Sequence, residues 1–92
     1  MATIMIPTPL RQFTGGAEVV DIHGTSVGQI LSDLTLTVHP ALRSNLYTPE
    51  GKLRSFVNIY LNDEDIRYLD KEHTAVSPTD VLSIVPSIAG GR

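Results

Sequence analysis

Apolar and polar positions change rhythm several times along the chain, and each change predicts an element. Ala2-Thr3-Ile4-Met5-Ile6 reads as a strand stopped by Pro7 and Pro9. Phe13-Thr14-Gly15-Gly16 reads as a turn, and Ala17 to Ile22 as a second strand, so the pair predicts a hairpin with a long connection. The clearest helix follows His23-Gly24. Ser26 with Gln29 three residues on has the form of a capping box. Val27, Ile30, Leu31 and Leu34 then fall at i, i+3, i+4 and i+7, on one helical face. Gly28 costs that helix about 1 kcal/mol relative to Ala and suits a close approach by a neighbour. Pro40 turns His39 away from helical geometry and suits the first turn of a new short helix, Pro40 to Leu46.

Tyr47 to Ser55 holds Thr48-Pro49-Glu50-Gly51, a loop signal. Phe56 to Leu61 is a strand with Val57, Ile59 and Leu61 on one face and Asn58 and Tyr60 on the other. Asn62-Asp63 predicts a turn, Asp65-Ile66-Arg67 a short return strand, and Pro78-Thr79-Asp80 another turn. Val81 to Val85 is the last strand, with Leu82 and Ile84 facing the core and Val81, Ser83 and Val85 facing away. The order is strand, strand, helix, short helix, strand, short strand, strand. It predicts an α+β protein with one main helix covering one face of a mixed sheet. This is the β-grasp, or ubiquitin-like, arrangement, in which the first and last strands pair in parallel at the sheet centre and the helix provides the crossover.

Composition narrows the class. A chain of 92 residues makes one small domain, here residues 1–86 with a tail at 87–92. A charged fraction of 18% argues against a disordered chain or a coiled coil. The net charge of −3 is dispersed, and seven Lys and Arg against ten Asp and Glu form no basic stripe, which argues against nucleic acid as a partner. No apolar run approaches the roughly 20 residues of a membrane span, and no signal peptide is evident. Cysteine is absent, so disulfides and thiolate metal sites are excluded. These features predict a soluble cytoplasmic protein, and nothing in them demands more than a monomer.

Enzyme chemistry is hard to find. His23, His39 and His73 lie far apart without metal-ligand spacing, and His23 and His39 read as loop or helix-end residues. Asp63-Glu64-Asp65 reads as a solvated acidic hairpin tip rather than a contact for a basic partner. No nucleophile elbow, P-loop or dinucleotide fingerprint occurs. What remains is two diglycines. Gly15-Gly16 lies between strands, where positive φ is wanted, and takes a structural reading. Gly90-Gly91 lies beyond the last strand. Pro86 cannot donate to a ladder, so the strand should release there. From Ser87 to Gly91 an extended chain reaches about 17 Å. Such a tail suits a narrow tunnel, since glycine has no Cβ to obstruct it.

The "SPTDVLSIVPSIAGG" end and the "FVNIYLNDEDIR" segment, on this strand order, resemble the MoaD/ThiS family of ubiquitin-like sulfur carriers. With "GKL" just upstream, the second segment is most similar to the CysO-type carriers of cysteine synthesis. The resemblance implies a carrier acted on by partner enzymes, not an enzyme. An E1-like enzyme would use ATP and Mg²⁺ to adenylate the carboxylate of Gly91, and sulfur would then replace AMP to leave a thiocarboxylate. Gly90 would give clearance. The carrier itself would bind no cofactor. The implied partners are that adenylating enzyme, a sulfur-accepting synthase (in the CysO-type case a PLP-dependent cysteine synthase) and a JAMM-type zinc protease. Arg92 departs from the pattern, because active carriers end at the second glycine. The expectation is that Arg92 is a processing residue removed before activation, the alternative being a constructed or inactive form.

The partner surface follows from strand alternation. Val81, Val85, Tyr60 and Phe56 lie away from the helix, and with Ile88 they could form an apolar patch at the tail's root. A second reading, that Tyr60 and Phe56 merely cover a small core from the other side, stands beside it. Three further functions also stay open: the small subunit of a molybdopterin synthase, a protein modifier forming isopeptide bonds, and a plain interaction module that keeps Arg92.

Overall fold

The first strand forms as Ala2–Met5 (β1), and the second as the shorter Val19–Ile22 (β2), antiparallel to it. The computed structural model describes residues 1–86. The last strand, Val81–Pro86 (β5), pairs in parallel with β1, with Ile4 opposite Leu82. Val57–Leu61 (β3) pairs antiparallel with the other side of β5, and Glu64–Asp65 (β4) closes the edge. The sheet order is β2-β1-β5-β3-β4, so the first and last strands are central neighbours, as the β-grasp reading requires.

One face of the sheet is closed by the helix Val27–Asp33 (α1). Its stripe of Val27, Ile30 and Leu31, continued by Leu34, is fully buried, as are Ile4 and Leu82 beneath it, with Ile59 and Ile84 nearly so. Each such side chain contributes about 1.5–3 kcal/mol on leaving water, so this layer outweighs any single cap or turn in the molecule. The cap forms, with a shift in its second arm. The Gln29 amide donates to Ser26 Oγ at 3.2 Å, whereas Gln29 Oε1 accepts from the Thr25 amide at 2.8 Å. Gly28 gives the expected close approach: a Cβ there would stand 3.1 Å from the Glu72 carbonyl oxygen.

The helix does not simply stop. It widens into a π turn over Leu34–Val38, where the His39 amide reaches back to the Leu34 carbonyl at 2.7 Å. The buried Thr35 hydroxyl donates to the Leu31 carbonyl at 2.8 Å, an extra demand on the ladder that accompanies the wide turn. The predicted short helix from Pro40 is present as a 3-10 turn, Pro40–Leu42, running into Arg43–Leu46 (α2). Gly15 and Gly16 have φ of +66° and +87° with open space at both Cβ positions, so conformation and not crowding calls for glycine there.

Several expectations need correction. The connection between the first two strands is a 3-10 helix, Thr8–Phe13, which buries Leu10, and the second strand begins at Val19 rather than Ala17. The return strand ends at Asp65. Ile66–Tyr68 turns into a 3-10 helix because the Asp65 carboxylate caps it, accepting from the Arg67 amide at 2.9 Å. Asp65 is therefore not a solvated tip residue but a buried one. Leu61 is only half-buried, unlike Val57 and Ile59 on the same strand. Among the described residues, no helix is long and apolar enough to cross a membrane.

Candidate functional site

Strand β5 carries the chain out of the sheet centre to Pro86, which lies opposite Val57 of β3. The tail begins at the next residue. Ile88, Gly90, Gly91 and Arg92 lie outside the described residues, so the site that can be built in detail is the surface around the tail's root.

Register defines that surface. On the face away from α1, Val19, Met5, Ser83 and Tyr60 are successive neighbours across β2, β1, β5 and β3. A second row runs Asp21, Thr3, Val81, and Val85 stands opposite Asn58 toward the tail. Met5, Val19, Val85 and Phe56 are 40–47% exposed. Tyr60 and Val81 are half-buried. The strip has a polar margin, where the Thr3 hydroxyl donates to Asp21 Oδ1 at 3.0 Å. Apolar groups inside a polar rim are the pattern of a docking face. Of the two aromatic side chains, Phe56 is exposed and Tyr60 is half-buried. Met5 and Val19 were missed in the sequence reading. The alternation that buries Ile4 already turns Met5 outward, but only the parallel β1–β5 register shows that Met5 joins Tyr60 through Ser83.

Two hydrogen-bonded groups fix the margins of this face. At the sheet edge, Asp65 Oδ2 accepts from Arg67 Nη2 at 2.8 Å, and the same guanidinium donates to Asn58 Oδ1. The hydrogen bonds from Arg67, side chain first and backbone second, hold the Asp65 carboxyl below the usual carboxylate range. At the start of β5, Asp80 accepts from the Ser77 amide at 2.8 Å and from the Asn62 side chain at 3.3 Å. Those bonds lower the Asp80 carboxyl too, the Ser77 amide contributing most. Asn62 itself has φ of +56° and accepts from the Val81 amide at 3.1 Å, tying the β3–β4 turn to the strand that feeds the tail.

His23 sits exposed between β2 and α1, His39 ends the π turn, and His73 ends the last 3-10 turn, Lys71–His73. Among the described residues, no cluster of His, Asp and Glu could hold a metal ion.

Comparison with known proteins agrees with this geometry. The sequence model of the ThiS family matches residues 4–91. The sulfur carrier protein CysO of Mycobacterium tuberculosis is 42% identical over 91 residues, covering 97% of each chain. Among solved structures, a chain of the Amycolatopsis orientalis BexX/CysO complex superposes with a TM-score of 0.88 at 38% identity, covering 99% of this chain and 100% of that one. SAMP1 from Haloferax volcanii superposes with a TM-score of 0.80 at 27% identity, covering 98% of both chains. A β-grasp sheet whose central strand leads into a diglycine tail, matched over nearly its whole length, belongs to the ThiS family of the ubiquitin-like MoaD/ThiS carriers.

Proposed function

We propose that the chain is a sulfur carrier whose working end is the carboxylate of Gly91, exposed when Arg92 is removed. The observation that carries this reading is the extent of the family match, which runs from residue 4 to Gly91 and so includes the diglycine. A carboxylate is a poor electrophile until one oxygen becomes a good leaving group. In an adenylating partner that uses ATP and Mg²⁺, the Gly91 carboxylate attacks the α-phosphorus and pyrophosphate leaves. Hydrosulfide then displaces AMP from the acyl carbon, loses its proton, and the carrier ends as a thiocarboxylate. Gly90 and Gly91 keep the approach clear of side chains. The similarity to CysO favours cysteine biosynthesis as the destination, with a PLP-dependent synthase accepting the sulfur and a JAMM-type zinc protease as the enzyme that trims Arg92 or releases product.

Intact mass of the protein isolated from its own cells tests this directly. The expected species lack one arginine, and a fraction carries sulfur in place of one oxygen. Recovery of the full-length oxygen form alone, under sulfur demand, would sink the reading.

A second reading rests on the likeness to SAMP1, a small archaeal modifier protein. A modifier would join its glycine carboxylate to lysines, and a ladder of conjugates on a denaturing gel would favour it over a carrier.

A further inference from the structure

Beside the tail's root, on the α1 side of the sheet edge, lies a cavity of about 460 Å³ that the carrier chemistry does not use. Leu53, Val57, Ile59 and Ile66 supply its apolar wall. Its rim carries Lys52, Arg54, Arg67 and Lys71. Two carboxylates, Asp65 and Glu72, also reach it, but Asp65 is already engaged by Arg67 at 2.8 Å. Arg54 is held by the Ser44 carbonyl at 3.0 Å. Among the described residues, the ammonium groups of Lys52 and Lys71 have no ion-pair partner, and both residues are exposed. Four of the chain's seven lysines and arginines therefore gather at one apolar hollow, in a protein whose net charge is −3. The cavity has the volume of a ligand site, with apolar walls and convergent polar groups at the mouth.

We propose that this cavity docks an acidic peptide segment, anchored by one apolar side chain, of the enzyme that activates the tail. The charge of the rim selects an acidic partner, and the apolar wall accepts a leucine-sized anchor. Position favours the activating enzyme: Val57, which lines the cavity, is the register partner of Pro86, the last residue before the tail. The proposal deepens the carrier reading and rests on it for the identity of the partner. The cavity gives a second grip outside the glycine tunnel, and its electrostatics favour encounter and orientation.

The probe is a short synthetic peptide of aspartates and glutamates around one leucine, titrated into the isotope-labelled full chain and followed by amide chemical shifts. The amides of Leu53, Val57, Ile66 and Lys71 should move together, with affinity falling as salt rises. Combined Lys52→Glu and Lys71→Glu substitution should weaken the peptide roughly 10-fold. No movement at Leu53 and Ile66, equal movement with a lysine-based peptide, or undiminished binding by the double variant would each overturn the docking site. With the chain lacking Arg92, the double variant should also raise the KM for the carrier in ATP–pyrophosphate exchange roughly 10-fold. An unchanged KM overturns the assignment of the peptide to the activating enzyme. If the unsubstituted chain supports no exchange at all, the reading of Gly91 fails, while the peptide titration still decides the cavity.

Discussion

The two faces of the sheet are made from the same strands and do opposite work. Toward α1, β1, β5 and β3 present Ile4, Leu82, Ile84, Val57 and Ile59, none more than 7% exposed. Away from it, the alternate positions are Thr3, Met5, Val81, Ser83, Val85, Asn58 and Tyr60, a mixture that leaves Met5 and Val85 above 40% exposure. The first face is uniform because it has one permanent neighbour, the helix. The second is mixed because α1 does not cover it, and its apolar side chains stand among polar ones. The lesson is a division by alternation: within β5, Leu82 and Ile84 hold the fold, while Val81 and Val85 face away from the helix and remain partly exposed.

The strongest way to test that division is to substitute one residue on the helix side. Leu82 is fully buried at the sheet centre between β1 and β3. Leu82→Ala should destabilise the domain by about 2–5 kcal/mol, through lost transfer energy and an unfilled cavity. Denaturant unfolding measures it, and a change below about 1 kcal/mol would mean that the core collapses around the hole and that the helix-facing layer is less tightly specified than its burial implies.

The helix-facing half was easy to read because its signals are local. Val27, Ile30, Leu31 and Leu34 carry the helical period within one turn or two, and Ser26 and Gln29 announce the start beside them. Positive φ at Gly15 and Gly16 was equally legible, since a turn between strands needs it. What stayed hidden depends on pairing across distance. Asp63-Glu64-Asp65 has the look of a solvated tip, yet Asp65 is buried because Arg67 and Asn58 close over it once β3 and β4 have paired. The 3-10 helix Thr8–Phe13 was masked by prolines that read as strand breakers, when Pro9 is also at home in its first turn. The outer patch needed Met5 and Val19 to be set beside Ser83, and that neighbourhood is a property of the parallel register, not of either segment. Recognition of the tail came from its motif, because two glycines have no period.

Asp65 is the exception that sharpens the comparison, being 8% exposed although its register partner is Tyr60 of the outer face. Its carboxyl titrates below its ordinary value because Arg67 bonds the charged form. The folded state therefore prefers the ionised group. The stability it contributes is fully present above the unfolded value of 3.8 and is lost as pH falls through the lower folded value. Asp65→Asn should leave a protein whose unfolding midpoint falls less steeply on the acid side, with the β3–β4 edge loosened at neutral pH. Thermal melts from neutral pH down to about pH 3 would show it. An acid limb identical to that of the unsubstituted protein would remove Asp65 from the account and leave Asp80 as the remaining depressed carboxylate among the described residues.

The smallest effect on stability should accompany the clearest effect on partnership. Val85 is 42% exposed and lies one residue before Pro86, on the face that α1 does not cover. Val85→Ser removes apolar contact area without opening a cavity, so stability should change by no more than about 0.5 kcal/mol. If the outer face docks the activating enzyme, the same substitution should raise the carrier's KM in pyrophosphate exchange severalfold, and Phe56→Ser should add to it. The pairing of outcomes carries the argument. A stability loss comparable to that of Leu82→Ala would make Val85 part of a second core. An unchanged KM would show that the activating enzyme does not read the outer face. Only an intact fold with weakened activation fits a face kept partly apolar for the enzyme that takes hold of Gly91.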